Sequence, residues 1–211
     1  MITNIIWDFD GTLYNTYPAI AMGFIKALQR DYNTTYDYLQ VYNWSRTGIN
    51  YCSERLGEKL GMDPEAVKES FEAYYLAGTG IDELPFPGAE AVCEAIVKRG
   101  GRNFIVTHRG RASLERLLCK HGMDAYFDEL VSSDCGFARK PSPEAFDYII
   151  QKYRISIDRV IAVGDRQIDV QAANAAGVFS CYFDSGGETY CEADFQISDL
   201  FQLLSIINGE N

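Results

Sequence analysis

The spacing of apolar positions changes twice along the chain. Ile5-Ile6-Trp7 is a short continuous apolar run, and it predicts a buried strand. Beyond Asn15 the period becomes helical. Thr16-Tyr17-Pro18 is a helix entry with Pro18 at the first helical position, and Ala19 to Arg30 follows with Ile20, Phe24, Ile25 and Leu28 on one face. Tyr32 to Trp44, crowded with tyrosines, includes another helix, and Ser45-Arg46-Thr47-Gly48 breaks the pattern. Asn50 to Leu60 and Pro64 to Leu76 read as two more helices, ended by Gly61 and Gly78. No strand is predicted in this block.

Past the punctuating segment Pro85-Phe86-Pro87-Gly88 the two periods alternate. Strands are predicted at Asn103–Thr107, Glu129–Ser132, Arg159–Gly164, Val178–Phe183 and Phe195–Ile197. Helices fall at Ala89–Lys98, Arg111–His121, Pro143–Tyr153, Ile168–Ala176 and Leu200–Ile207. Such alternation predicts an α/β fold, a Rossmann-like parallel sheet with helices on both faces. The first strand belongs to that sheet. The expected division is a core of residues 1–14 and 86–211, with a helical cap, residues 15–85, inserted above the carboxyl end of the first strand.

Composition narrows the function. The chain has 211 residues, 47% of them hydrophobic, enough for a sizeable core. A formal net charge of −11 disfavours nucleic acid and anionic membranes as partners. No apolar run approaches a membrane span, and no basic-then-apolar leader opens the chain, so the expected location is the cytoplasm. Cys52, Cys93, Cys119, Cys135, Cys181 and Cys191 are scattered with no CxxC pair, as expected of reduced, mostly buried thiols and not of a zinc site.

Candidate chemistry gathers where the strands end. In a parallel sheet the carboxyl ends share one edge, and ligands bind there. The first strand ends in Asp8-Phe9-Asp10-Gly11-Thr12, the next in Thr107-His108-Arg109-Gly110. The third leads to Arg139-Lys140-Pro141, the fourth ends in Gly164-Asp165-Arg166-Gln167-Ile168-Asp169. Asp8 and Asp10, two apart on a strand, would point to one face and repel unless a cation relieves them. Mg²⁺ is suited to that task. Each residue also has a plain alternative. Asp10-Gly11 is a turn signal, Thr107 a helix cap, Lys140 a solvated lysine, Asp165 a turn residue, and Asp169 a complement to the helix dipole.

The order DFDGTL, a strand ending in Thr, Lys-Pro and GDxxxD resembles the haloacid dehalogenase-like hydrolases, in particular the phosphoglycolate phosphatase-like and β-phosphoglucomutase-like members. The resemblance covers the whole chain and implies a Mg²⁺-dependent phosphatase of a small phosphorylated metabolite. Asp8 would be the nucleophile of an aspartyl-phosphate route and Asp10 the acid and base. Asp8, Asp165 and the Asp10 carbonyl would hold the metal, with Asp169 either a ligand through water or a support behind the ligands. Thr107, the N–H after it and Lys140 would bind phosphate oxygens, with Gly11, Thr12, His108, Arg109 and Arg46 completing the phosphate- and substrate-binding set.

His108 stands where relatives often carry Asn, and either reaches substrate or packs against the cap. Arg46, in the candidate loop Arg46-Thr47-Gly48, either pairs with a substrate carboxylate or is an exposed turn arginine. The cap tyrosines either line a pocket or pack. Dehalogenation is disfavoured by Asp10, and phosphonate cleavage by the lack of a defensible cap lysine. A β-phosphoglucomutase-like phosphomutase and a non-catalytic metal- and phosphate-binding module are the alternatives. The expected assembly is a monomer or homodimer.

Overall fold

A computed structural model describes residues 1–186 and 192–209. In chain order these form β1 (Asn4–Trp7), β2 (Tyr14–Asn15), α1 (Tyr17–Tyr32), α2 (Tyr38–Thr47), α3 (Ile49–Leu60), α4 (Pro64–Ala77) and β3 (Leu84–Pro85). Then follow α5 (Ala89–Lys98), β4 (Arg102–Val106), α6 (Arg111–Lys120), β5 (Phe127–Val131), α7 (Glu144–Tyr153), β6 (Val160–Gly164), α8 (Gln167–Ala175), β7 (Phe179–Phe183), β8 (Phe195–Ile197) and α9 (Gln202–Asn208). Two compact units result, one of Met1–Tyr14 with Pro85–Asn211 and one of Asn15–Leu84. Among the described residues no helix is long and apolar enough to cross a membrane.

The first unit is a six-stranded sheet in the order β5-β4-β1-β6-β7-β8, with every neighbouring pair parallel. Such a sheet must be covered on both faces, and the period of two sorts its side chains accordingly. Ile5, Trp7, Ile105, Ile161, Val163, Cys181 and Phe183 share a core with residues of α5, α6 and α9. Ile6, Phe104, Val106, Val131, Val160 and Ala162 share another with α7 and α8. β1, at the centre, is buried along its whole length. Buried polar side chains interrupt this pattern at Asn4, Asn103 and Ser180. Asn103 is fully buried on β4, where its Oδ1 accepts from Trp7 Nε1 at 3.1 Å. Its Nδ2 donates to the carbonyls of Cys93 at 3.0 Å and Tyr126 at 3.3 Å.

The second unit packs α1, α2, α3 and α4 around Ile20, Phe24, Leu28, Val41, Leu56, Val67 and Phe71. Phe24 and Phe71 stack at 4.0 Å. Gly23 permits this approach, because a Cβ there would lie 2.9 Å from the Phe71 ring. Tyr32, Tyr36, Tyr38, Tyr42 and Tyr75 lie half-buried against this core. These tyrosines therefore pack.

Several boundaries differ from the sequence expectation. α2 does not break at Ser45. It runs through Thr47, and Gly48 ends it with its N–H on the Trp44 carbonyl. Ser45 stays helical by turning its hydroxyl back onto the Val41 carbonyl at 2.7 Å. β5 begins at Phe127, two residues before the predicted start. Of the cysteines, Cys52, Cys93 and Cys181 are buried, whereas Cys119 and Cys135 are exposed. Cys191 lies outside the described residues.

Replacing Asn103 by Ala would strand the Trp7 indole N–H and two carbonyls in the core. A buried unmatched group costs about 1–3 kcal/mol. Asn103→Ala is therefore expected to lower the unfolding free energy by about 2–4 kcal/mol, measured by urea denaturation with an unchanged m-value.

Candidate active site

The carboxyl edge of the sheet gathers Asp8, Thr12, Thr107, Arg109, Lys140, Asp165 and Asp169, all buried. β1 stops at Trp7, so Asp8 sits just past the strand, its N–H still donating to the Val163 carbonyl at 2.8 Å. The next residues turn sharply. The Phe9 carbonyl accepts from Leu13 at 3.1 Å and from Tyr14 at 2.9 Å, and Gly11 takes φ +80°, the left-handed region that favours glycine. This turn corrects the picture of two carboxylates side by side on a strand face. It sends Asp10 to a different partner from Asp8.

Asp8 belongs to a buried cluster. Lys140 Nζ stands 2.6 Å from Asp8 Oδ1, 2.5 Å from Asp169 Oδ1 and 3.0 Å from the Val106 carbonyl. Lys140 is thus a buried ion-pair partner and not a solvated lysine. Asp165 completes the group, accepting from the Thr12 hydroxyl at 3.2 Å. Asp169 Oδ2 accepts the Arg166 N–H at 3.1 Å, at the start of α8. Gly164 makes this closeness possible, since a Cβ there would fall 2.2 Å from that of Asp169.

Asp10 is held by Arg109. The guanidinium approaches Asp10 Oδ1 at 2.6 Å through Nη2 and at 3.0 Å through Nε, and Nη1 donates to Ser113 at 2.6 Å. Arg109 also covers the Phe9 ring at 5.4 Å. Thr107 does not cap a helix. Gly110 fills the N-cap of α6, and the Thr107 hydroxyl accepts the Arg109 N–H at 3.1 Å. His108 accepts the Lys140 main-chain N–H on Nε2 at 3.0 Å.

In the other unit, Arg46 lies on the last turn of α2, not in a loop, with its guanidinium 5.2 Å from the centre of the Tyr17 ring. The sequence offered Arg109 and His108 without their partners. It gave no signal for Ser113 beyond its spacing of four from Arg109.

Crowded buried charge sets the electrostatics. Burial is the largest influence on Asp8 and raises its pKa to about 6, with Lys140 opposing and Asp169 adding to the rise. Burial also acts to raise Asp169, but Lys140 and then Arg166 outweigh it and hold this carboxyl below its ordinary value. Burial would lower Lys140, yet Asp169 and Asp8 keep it above the ordinary lysine range.

The donor set fits a hard divalent cation. Asp8, Asp165 and Asp169 each offer an oxygen, all within 4.8 Å of one another. Asp8 Oδ2 is buried with no hydrogen-bond partner, and a buried carboxylate oxygen of this kind calls for a cation. All-oxygen ligation suits Mg²⁺ or Ca²⁺ better than Zn²⁺.

Comparison with known proteins places these features in a family. A family model for haloacid dehalogenase-like hydrolases matches residues 5–183. The chain is 27% identical over 217 aligned positions to phosphoglycolate phosphatase of Vibrio vulnificus, covering 96% of this chain and 95% of that one. Among solved structures, one described as a predicted phosphoglycolate phosphatase from Haemophilus somnus superposes with a TM-score of 0.86 at 23% identity, covering 97% of both chains. CbbY from Rhodobacter sphaeroides in complex with phosphate superposes at 0.78 with 19% identity, covering 96% of each chain. At these identities the structural likeness speaks for the fold.

The raised Asp8 pKa has a sign that can be tested. Between about pH 4 and 6 folded Asp8 keeps a proton that the unfolded chain, at an ordinary 3.8, has already lost. Its contribution to stability is therefore present at low pH and lost as pH rises through about 6. In chelator, the melting temperature of the native protein is expected to fall relative to Asp8→Asn as pH rises from about 5 to 7. Added Mg²⁺ is expected to reverse that trend by favouring the ionised carboxylate.

Proposed function

This chain belongs to the haloacid dehalogenase-like hydrolases, and we propose that it is a Mg²⁺-dependent phosphatase acting on a small phosphomonoester through an aspartyl-phosphate. The observation that carries this reading is the division of labour between Asp8 and Asp10. Asp8 lies with Asp165, Asp169 and Lys140 in a buried cluster. Asp10 is held by Arg109 in a half-buried position. These different settings support attack by one carboxylate and proton transfer by the other.

In the first step an Asp8 carboxylate oxygen attacks phosphorus. The bond to the leaving oxygen breaks, and Asp10 gives that oxygen its proton. In the second step Asp10 takes a proton from water as the water oxygen attacks phosphorus. The bond to Asp8 breaks and inorganic phosphate leaves. Lys140, the Thr107 hydroxyl and the His108 N–H hold the non-bridging oxygens, and positioning of this kind is most of what phosphoryl transfer asks of a protein. Bound by Asp8, Asp165, Asp169 and the Asp10 carbonyl, Mg²⁺ would offset repulsion between the phosphate and the carboxylates. Asp10 needs freedom to serve both steps, and Arg109, anchored by Ser113, fixes where it starts from.

The curated relatives support phosphoglycolate as the first substrate to try. Arg46, on the second unit, is the residue proposed to sense a substrate carboxylate.

Purified protein with Mg²⁺ is expected to release phosphate from at least one member of a panel holding 2-phosphoglycolate, sugar phosphates and a chromogenic phosphomonoester. Asp8→Asn should lower kcat by roughly a thousandfold or more, and chelator should abolish turnover. Arg46→Ala should raise KM for carboxylate-bearing substrates while sparing neutral ones. Phosphate binding without release from any panel member would sink the phosphatase reading, and transfer between two positions of one sugar would replace it with a mutase.

A further inference from the structure

Lys140 carries its ammonium into the most enclosed part of the site, yet its backbone lies in no helix or strand. It stands in the loop between β5 and α7. No sheet ladder fixes its main chain. A side chain from the end of the neighbouring strand does so instead, since His108 Nε2 accepts the Lys140 N–H at 3.0 Å. From that anchor the lysine reaches Asp8 at 2.6 Å, Asp169 at 2.5 Å and the Val106 carbonyl at 3.0 Å. The Val106 carbonyl and His108 both belong to the end of β4 and the turn after it. One short segment therefore grips Lys140 at both ends.

We propose that His108 is a positioning residue, whose imidazole accepts the main-chain N–H of Lys140 and so sets where the lysine ammonium stands against Asp8 and a bound phosphate. The inference deepens the phosphatase reading and rests on it for the task of Lys140, while the tether itself stands on geometry alone. It gives the His108 side chain a role besides the two expected from the sequence, substrate contact and simple packing, and leaves its main-chain N–H to the phosphate.

The geometry dictates a proton position. A backbone N–H only donates, so Nε2 must present its lone pair and the ring proton must sit on Nδ1. A doubly protonated ring would set N–H against N–H and break the tether. The surroundings keep the ring neutral. Burial first, then the charges of Lys140, Arg139 and Arg166, outweigh Asp169 and push the His108 pKa down to about 3.

The test compares the full-length protein with His108→Gln and His108→Phe. Glutamine carries an acceptor oxygen at the same number of bonds from Cβ as Nε2, whereas phenylalanine fills the space without accepting. Nitrogen-15 NMR of the native ring is expected to show a neutral, Nδ1-protonated tautomer from pH 5 to 8. Amide exchange at Lys140 should be slow in the native and Gln proteins and about tenfold faster or more in His108→Phe. On the best phosphomonoester found, His108→Gln should keep kcat/KM within about fivefold. His108→Phe should lose roughly 10- to 100-fold at an unchanged melting temperature, the scale of a displaced catalytic group.

An Nε2-protonated or titrating ring overturns the proposal. So does Lys140 exchange that is the same in the Gln and Phe variants, or native turnover in His108→Phe. If the native protein turns over nothing, the phosphatase reading fails, and the tautomer and exchange measurements still decide the tether. If His108→Phe does not fold, the native tautomer and the Gln variant's exchange decide it.

Discussion

Lys140 puts one ammonium between two buried carboxylates, and the geometry of the sheet's carboxyl edge depends on that contact. A charge taken out of water is costly unless it is paired and hydrogen-bonded. Lys140 meets that condition with Asp8, Asp169 and the Val106 carbonyl. Without the lysine, Asp8 and Asp169 would face one another in a dry site. Arg109 does for Asp10 what Lys140 does for Asp8. Even so, Asp8, Asp10, Asp165 and Asp169 outnumber Lys140 and Arg109, the basic side chains that are buried among the described residues. This excess of negative charge fits the raised pKa of Asp8, and a cation would relieve it.

The acidic character of the whole chain and the anionic substrate class are compatible for a related reason. Long-range attraction of phosphate is not available at a net charge of −11. Binding has to come from a few donors at close range, in a place where water is excluded and each hydrogen bond counts for more. In the proposed reading a lysine, a threonine hydroxyl and main-chain N–H groups supply those donors, and a metal would complete the set.

Much of this was legible in the sequence because strand and helix periods are local properties. The strand ends fell on one edge, and the motifs at those ends followed from it. Asp8-Phe9-Asp10-Gly11 was legible in two ways, as a turn and as a site, and the turn does not compete with the site. The glycine turn is what separates Asp10 from Asp8. Illegible features were those fixed by tertiary packing. The tyrosine-rich insertion left open whether its rings line a pocket or pack, and Ser45 gave no sign that it would back-bond to Val41 and carry α2 on through Arg46. The partners of Arg109 and His108 lie across the sheet edge, and no spacing along the chain encodes them.

The chain leaves the first unit at Tyr14 and returns at Pro85. There β2 and β3 form a two-stranded ribbon, and the Phe86 N–H donates to the Leu13 carbonyl at 2.9 Å. The exit and the return are thus already stitched together by the residues that flank them. For the sheet, everything between is a closed loop, and loop length costs a fold little once the ends are joined. The helical segment could therefore be enlarged, trimmed or exchanged at little cost to the sheet. Whatever the sheet edge holds stays on its own side of a single seam.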